Sequence, residues 1–150
     1  MSKLKFFVAA IALCLTANAI AETAQEQVNK NNVVAFYELA LNQKQGQAAV
    51  DKYVGSRYVQ HSPGAPDGPQ GFVKFIDFLR AKYPQSHNEI KQAFADGNYV
   101  ILHTHAVREP GTRGNAIVDI FKLDDQGKIV EHWDVVQPIP DQTANNNGMF

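Results

Sequence analysis

The chain predicts an α+β domain, with helices gathered in its first half and a run of antiparallel strands after them. Two observations carry this. From residue 28 to residue 82 apolar side chains recur at helical spacing. From residue 87 to residue 137 the period falls to two, with glycine-containing turns between the segments. Helices followed by an antiparallel meander give helices packed on one face of a single sheet. A length of 150 residues fits one domain.

The first segment stands apart. Lys3 and Lys5 precede an apolar run from Phe6 to Leu15, and Ala19-Ile20-Ala21 forms a small-residue cleavage pattern. Residues 1–21 therefore read as a signal peptide, too short for a membrane span, which needs about 20 apolar residues. Cys14 is the only cysteine, and Leu13 before it is too large for a lipoprotein signal. The expected mature protein begins at Glu22, is periplasmic or secreted, has no lipid anchor and has no thiol. The charge balance is close to even, with 14 Lys and Arg against 15 Asp and Glu. No basic run follows phosphates, so neither nucleic acid nor an anionic membrane is an expected partner.

Residues 28–44 repeat Val33, Phe36, Tyr37, Ala40 and Leu41 on one stripe, and Gly46 ends that helix. A short helix follows over 47–54, closed by Gly55. Residues 56–71 are rich in proline and glycine and read as a loop, with a brief extended entry from Tyr58 to His61. Pro69 then suits the first turn of a third helix, which keeps Phe72, Phe75, Ile76 and Leu79 on one face until Pro84. Strands are expected over 87–96, 98–109, 115–123 and 128–137, and residues 138–150 form a polar tail. The domain proper is thus 22–137.

Several polar groups break the strand pattern. Asp119 shares a strand face with Ile117, Phe121 and Leu123, a lone carboxylate on an apolar surface. A plain reading pairs it with Arg57, Arg80 or Arg113. The sharper reading places it in an apolar cavity, where burial turns a carboxyl into a usable acid or base. His103 and His105 share one parity on the preceding strand. On the last strand His132 and Asp134 share one face, while Glu131, Trp133 and Val135 share the other, and alternation leaves open which set meets the cavity. His61 stands at the lip of the proline-glycine loop. Gly97, His103, His105 and Glu109 also match half of a cupin metal motif, but the helical first half and the missing second motif count against that reading.

With these residues in view, the chain resembles the SnoaL-like family of the nuclear transport factor 2-like superfamily. The resemblance rests on "YVQHSP" with "DGPQGFVKF", on "ADGNYVILHTH", and above all on "DIFKLDDQGKIVEHWDVVQ". It implies a cone-shaped barrel, a strongly curved antiparallel sheet wrapped around three N-terminal helices, with a deep apolar pocket and a homodimer through the outer sheet face. The apolar row Ala116, Val118 and Ile120 suits such a face. The implied chemistry is acid/base work without metal or cofactor, of an aldol or cyclase, isomerase or hydrolase type, on a small apolar carbonyl or hydroxyl compound. The expected catalytic residues are Asp119, which moves the proton, and His103 or His132, which polarises an oxygen. Those assigned to the ligand are His61, His105, Trp133, Asp134, Phe121 and Tyr58. The alternatives are a periplasmic protein that binds a small apolar or aromatic molecule without turnover, and a metal-binding cupin-like enzyme. The fold transfers more readily than the reaction, because the leader takes this chain out of the cytoplasm.

Overall fold

A computed structural model describes residues 22–150. The leader expected over 1–21 lies outside the described residues. Helix α1 spans Ala24–Tyr37 and is entered through a capping box. The Thr23 hydroxyl accepts from the Glu26 N–H at 3.2 Å, and the Glu26 carboxylate accepts from the Thr23 N–H at 2.7 Å. The helix then widens into a π turn over Glu38–Asn42, so the single helix expected over 28–44 is interrupted. The stripe Val33, Phe36, Tyr37, Ala40 and Leu41 is buried as its spacing predicts. Helix α2 covers Gly46–Tyr53. Gly46 opens this helix rather than ending the first, because a Cβ here would lie 2.9 Å from Cβ of Ile76. Ile76 belongs to α3, Pro69–Lys82, which carries proline in its first turn.

The strands are β1 (Val54–Gln60), β2 (His87–Asp96), β3 (Tyr99–Val107), β4 (Asn115–Leu123) and β5 (Ile129–Pro138). They form one sheet in the order β1-β5-β4-β3-β2. Neighbours pair antiparallel except β1, which runs parallel to β5. The expected antiparallel meander is present over β2–β5, and β1 adds a parallel edge strand where the sequence reads as a loop. The "brief extended entry" of the loop is a seven-residue edge strand. The sheet does not close. Its register shifts between Ile90 and Gln92, between Lys122 and Leu123, and along β1, and such irregularities bend strands and deepen twist. The result is a curved sheet whose concave face holds the three helices.

Two asparagines fix α1 against that sheet. Asn29 Nδ2 donates to the Gly97 carbonyl at 3.2 Å, and Asn32 Nδ2 donates to the Gly127 carbonyl at 3.0 Å. Gly97 and Gly127 sit at φ +56° and +73° in the two hairpin turns, the left-handed region where glycine is unstrained. One helix thus holds both hairpins, β2–β3 and β4–β5, at the same end of the sheet. On β4 the odd residues Ile117, Asp119, Phe121 and Leu123 are buried. On β3 the even residues Val100, Leu102, Thr104 and Ala106 are buried. The core runs between these two rows and the helical stripe.

Candidate functional site

Where the core meets the open end of the sheet, it leaves a cavity of ≈ 60 Å³. Phe36, Phe72, Phe121, Tyr58, Leu41 and Ile117 make its apolar wall. Its polar groups are Asp119, Arg108, Gln60, Ser62, His132 and Asp134. The rings are mutually braced. Phe36 packs on Phe72 with centroids 5.1 Å apart, and Phe121 meets the His132 imidazole at 4.7 Å.

Asp119 and His132 are in direct contact. Nε2 of His132 lies 3.2 Å from Oδ1 of Asp119, and the two residues are only 6% and 8% exposed. The proton count at this contact follows from its neighbours. The backbone N–H of Ser62 donates to Oε1 of Gln60 at 2.9 Å, while Nε2 of Gln60 donates to the Tyr58 hydroxyl at 3.1 Å. That fixes which end of the Gln60 amide is oxygen. Nδ1 of His132 faces the same oxygen at 2.9 Å and must therefore carry a proton. We assign the Asp119–His132 contact one further proton. It sits either on His132, giving an ion pair, or on Asp119, giving a neutral pair. Both states have zero net charge, and the two differ by a proton shift along one short line.

Two buried tyrosines frame this pair. Tyr37 lies 3.1 Å from the Thr104 hydroxyl, and Thr104 donates to Oδ2 of Asp119 at 3.5 Å, a weak contact. Burial pushes the phenols of Tyr37 and Tyr58 well above their ordinary range, and the nearby Asp119 charge pushes both further. Each stays a protonated donor at neutral pH. The Tyr58 oxygen already accepts from Gln60, so its own proton is available to an occupant of the cavity. Asp134 pairs in register with Asp119 across β4 and β5. Like charges directly opposite one another cost stability, and Asp134 is held there by the Ser62 hydroxyl, which donates to Oδ2 at 2.9 Å.

The residues expected from sequence divide into two groups. Asp119, His132, Asp134, Phe121 and Tyr58 come together at the cavity. His103, His105, His61 and Trp133 do not. Leu102 pairs with Asp119, which turns His103 toward Val118 and His105 toward Ala116 on the outer face. There the Phe150 ring of the tail covers both imidazoles, with centroids 5.1 Å away in each case. His105 Nε2 also meets the Arg113 carbonyl at 2.7 Å. His61 and Trp133 stack on each other at 4.7 Å, and His61 bonds Glu131 at 2.9 Å. These lie on the side of β5 opposite His132, so placing His103 beside Asp119 and Trp133 in the pocket wall is corrected. Among the described residues no three His, Cys, Asp or Glu side chains gather to hold a metal ion. The cupin-like grouping of His103, His105 and Glu109 is thus not assembled, and Glu109 falls beyond the end of β3.

None of the suggested arginines meets Asp119. Arg80 pairs with Asp77 and Arg113 with Asp141. The cation at the cavity is Arg108, just past β3 and near Tyr37, Asp119 and Tyr83. Burial pulls its guanidinium below the ordinary arginine value, and Nη1 has no hydrogen-bond partner among the described residues. Arg108, Gln60, Ser62, Tyr37 and Thr104 are the site residues that the sequence reading did not identify. The one available signal was parity, since Thr104 lies on the apolar side of β3.

The geometry can now be set beside known proteins. No curated protein sequence matches the chain. Among solved structures, a proposed polyketide cyclase from Acidithiobacillus ferrooxidans is similar, with 22% identity and a TM-score of 0.61 over 73% of this chain and 87% of that one. TsrD from Streptomyces laurentii is similar at 15% identity and a TM-score of 0.61, over 73% of this chain and 89% of that one. A proposed isomerase of the SnoaL-like family from Agrobacterium tumefaciens is similar at 18% identity and a TM-score of 0.57, over 77% and 99% of the two chains. At such identities the likeness is one of fold. The SnoaL-like domain model is the sequence-level match, and it covers residues 33–132. From the buried stripe of α1 to the imidazole on β5, the matched segment holds nearly every group at the cavity, and the chain belongs to the SnoaL-like family of the nuclear transport factor 2-like superfamily.

Proposed function

We propose that the protein is an acid/base catalyst of the isomerase or cyclase kind, acting on a compact apolar carbonyl compound with its own side chains. One observation carries this reading: a buried carboxyl–imidazole pair in direct contact, set in the wall of an apolar cavity. In the ion-pair state the Asp119 carboxylate takes a proton from the carbon beside the ligand carbonyl. The electron pair of that C–H bond forms a C=C bond as the C=O π pair moves onto oxygen, and the Tyr58 hydroxyl donates to the enolate that forms. In a ligand with a C=C bond next to that carbon, the proton then returns to the far carbon of the dienolate, which shifts the double bond and is isomerisation. Alternatively the enolate carbon attacks a second carbonyl of the same molecule, and the proton passes to the new alkoxide, which closes a ring. His132 stays protonated and holds Asp119 in place. General acid/base catalysis of this kind is worth about 10²–10⁴-fold.

The fold and family support the reaction class, as does the apolar lining, which keeps the carboxyl poorly solvated. Exchange of α-hydrogens in D₂O tests the reading without knowledge of the natural substrate. Small ketones and 1,3-diketones are incubated with protein and followed by proton NMR. The wild-type protein is expected to exceed buffer, and Asp119→Asn is expected to lose at least ~100-fold of that excess. Exchange that Asp119→Asn leaves unchanged defeats the proposal. Tight ligand binding with no exchange in any compound favours the non-catalytic binding reading.

We further propose that the chain is exported and that it pairs with a second copy through the outer sheet face. Export is supported by the leader pattern over residues 1–21. Pairing is supported by Val118 and Val135, which lie opposite each other on that face and are 36% and 66% exposed. Mass analysis of the N-terminus checks export. Glu22 is the expected first residue, and a lipid-modified Cys14 refutes it.

A further inference from the structure

We propose that the cavity recognises a small carboxylate, with Arg108 as the residue that binds the acid group. The inference rests on the cavity being the ligand site, as above, but does not depend on turnover there.

The argument begins with an uncompensated cation. Arg108 lines the cavity, Nη1 is sealed from solvent without a hydrogen-bond partner, and no described carboxylate forms an ion pair with the guanidinium. Leaving a buried donor unmade is costly, and a charged one more so. Arginine does not escape that cost by losing its proton. The two acids nearby do not supply the missing acceptor. Asp119 is engaged with His132 and Thr104. Asp134 is bonded to Ser62, among the residues of β1 and β5. The cavity therefore contains an apolar wall, an Asp119–His132 pair already engaged with each other and a cation whose fork of donors suits a planar carboxylate.

This arrangement also gives the ligand an orientation. A molecule with its acid group at Arg108 lays its body along Phe36, Phe72 and Phe121. Such a pose brings the carbon chain past Asp119 and within range of Tyr58. The cavity volume of ≈ 60 Å³ favours a compact acid over a large polycyclic one. The ligand class is thus a short or monocyclic carboxylic acid, with a second oxygen for Tyr58.

Isosteric pairs test this. Binding of butyrate and benzoate is compared with that of 1-butanol and benzyl alcohol by NMR titration of the wild-type protein at neutral pH. Each acid is expected to bind at least tenfold more tightly than its alcohol. Arg108→Gln is expected to bring acid and alcohol within threefold, while Arg80→Gln, which changes a surface arginine of α3 paired with Asp77, keeps the preference. Equal affinity for acid and alcohol overturns the proposal, as does no detectable binding of either acid. A preference that survives Arg108→Gln also overturns it. If that variant does not fold, the Arg108 Nε–H resonance of the wild-type protein carries the test, and a signal unmoved at saturating butyrate refutes the contact. Acid preference without α-hydrogen exchange leaves this inference standing and removes the catalytic reading, so the two fail separately.

Discussion

Replacing Asp119 with asparagine separates a carboxylate kept for chemistry from one kept for stability. Asp119 has two polar contacts, His132 Nε2 at 3.2 Å and the Thr104 hydroxyl at 3.5 Å. The second is too long to contribute much. An asparagine amide oriented with nitrogen toward His132 donates to Nε2, since Nδ1 already carries the imidazole proton for Gln60. Its oxygen still faces Thr104. Every donor and acceptor thus remains matched, and the change trades a charge-assisted bond for a neutral one, a loss of about 1 kcal/mol. Removing one of two opposed carboxylates returns roughly 0.2–1 kcal/mol, because Asp134 faces Asp119 across the strands.

The net change is therefore expected within about 1 kcal/mol of zero. For a domain of this size that is a shift in Tm of about 5 °C or less. Thermal melts followed by circular dichroism at neutral pH measure it. A structural ion pair behaves differently: removing one partner of a buried pair costs about 3–5 kcal/mol, or more than about 10 °C here. A drop of that size refutes the reasoning, because it makes the Asp119–His132 contact a support of the fold. Asp119→Leu is the useful contrast. It leaves His132 Nε2 buried without a partner and is expected to cost about 1–3 kcal/mol.

Three further outcomes are expected. Asp67 accepts from the Gln60 backbone N–H at 2.9 Å, and that bond with one from Gly68 holds its carboxyl below the usual range. A depressed folded value means the contribution is present above the unfolded value and is lost as pH falls through the folded one. The Gln60 amide resonance should therefore titrate below the ordinary aspartate range, and a flat response, or one unchanged in Asp67→Asn, contradicts this. Gly114 sits at φ +75°, where a Cβ would lie 2.3 Å from the Ala106 carbonyl oxygen. Gly114→Ala should destabilise by more than about 1–2 kcal/mol in urea denaturation, and near-neutrality would mean that the β3–β4 turn relaxes freely. In sedimentation at tens of micromolar the wild-type chain should run as a dimer, and Val118→Lys with Val135→Lys as a folded monomer; a monomeric wild type refutes the proposed interface.

How much of this site the sequence disclosed depended on strand parity and cross-strand register. On β4 the odd positions from Ile117 to Leu123 are apolar apart from Asp119, so the inward face and its exception could be read directly. On β3 the same reasoning went astray at His103 and His105. Two imidazoles on one parity suggest a shared task, yet Val100, Leu102, Thr104 and Ala106 make the complementary row less polar, and burial follows that row. Strand β5 was undecidable alone, since each face mixes charged and large residues. Pairing Asp119 with Asp134 resolves it, but that register becomes visible only once both strands are aligned.

The least legible pieces were those that complete the site. Strand β1 is an edge strand paired with β5 at Val54, Val59 and Gln60. Its single neighbour imposes little periodicity, so the segment resembled the loop that follows it. Gln60 nevertheless sets the tautomer of His132, a role that no titratable signature announces. Arg108 follows the last residue of β3 and precedes a proline-glycine turn, where arginine is ordinarily solvated. Its guanidinium nonetheless lines the cavity, near Tyr37 and Asp119. Asp119 could thus be singled out from local pattern, because it breaks the apolar character of its own strand face, whereas the side of β5 that carries His132 needed the register. The groups that orient the pair and the cation beside it could not, because their placement depends on contacts between elements distant in the chain. This SnoaL-like chain can therefore be recognised from its strands, while the groups proposed to orient and bind its ligand lie at an edge strand and a turn.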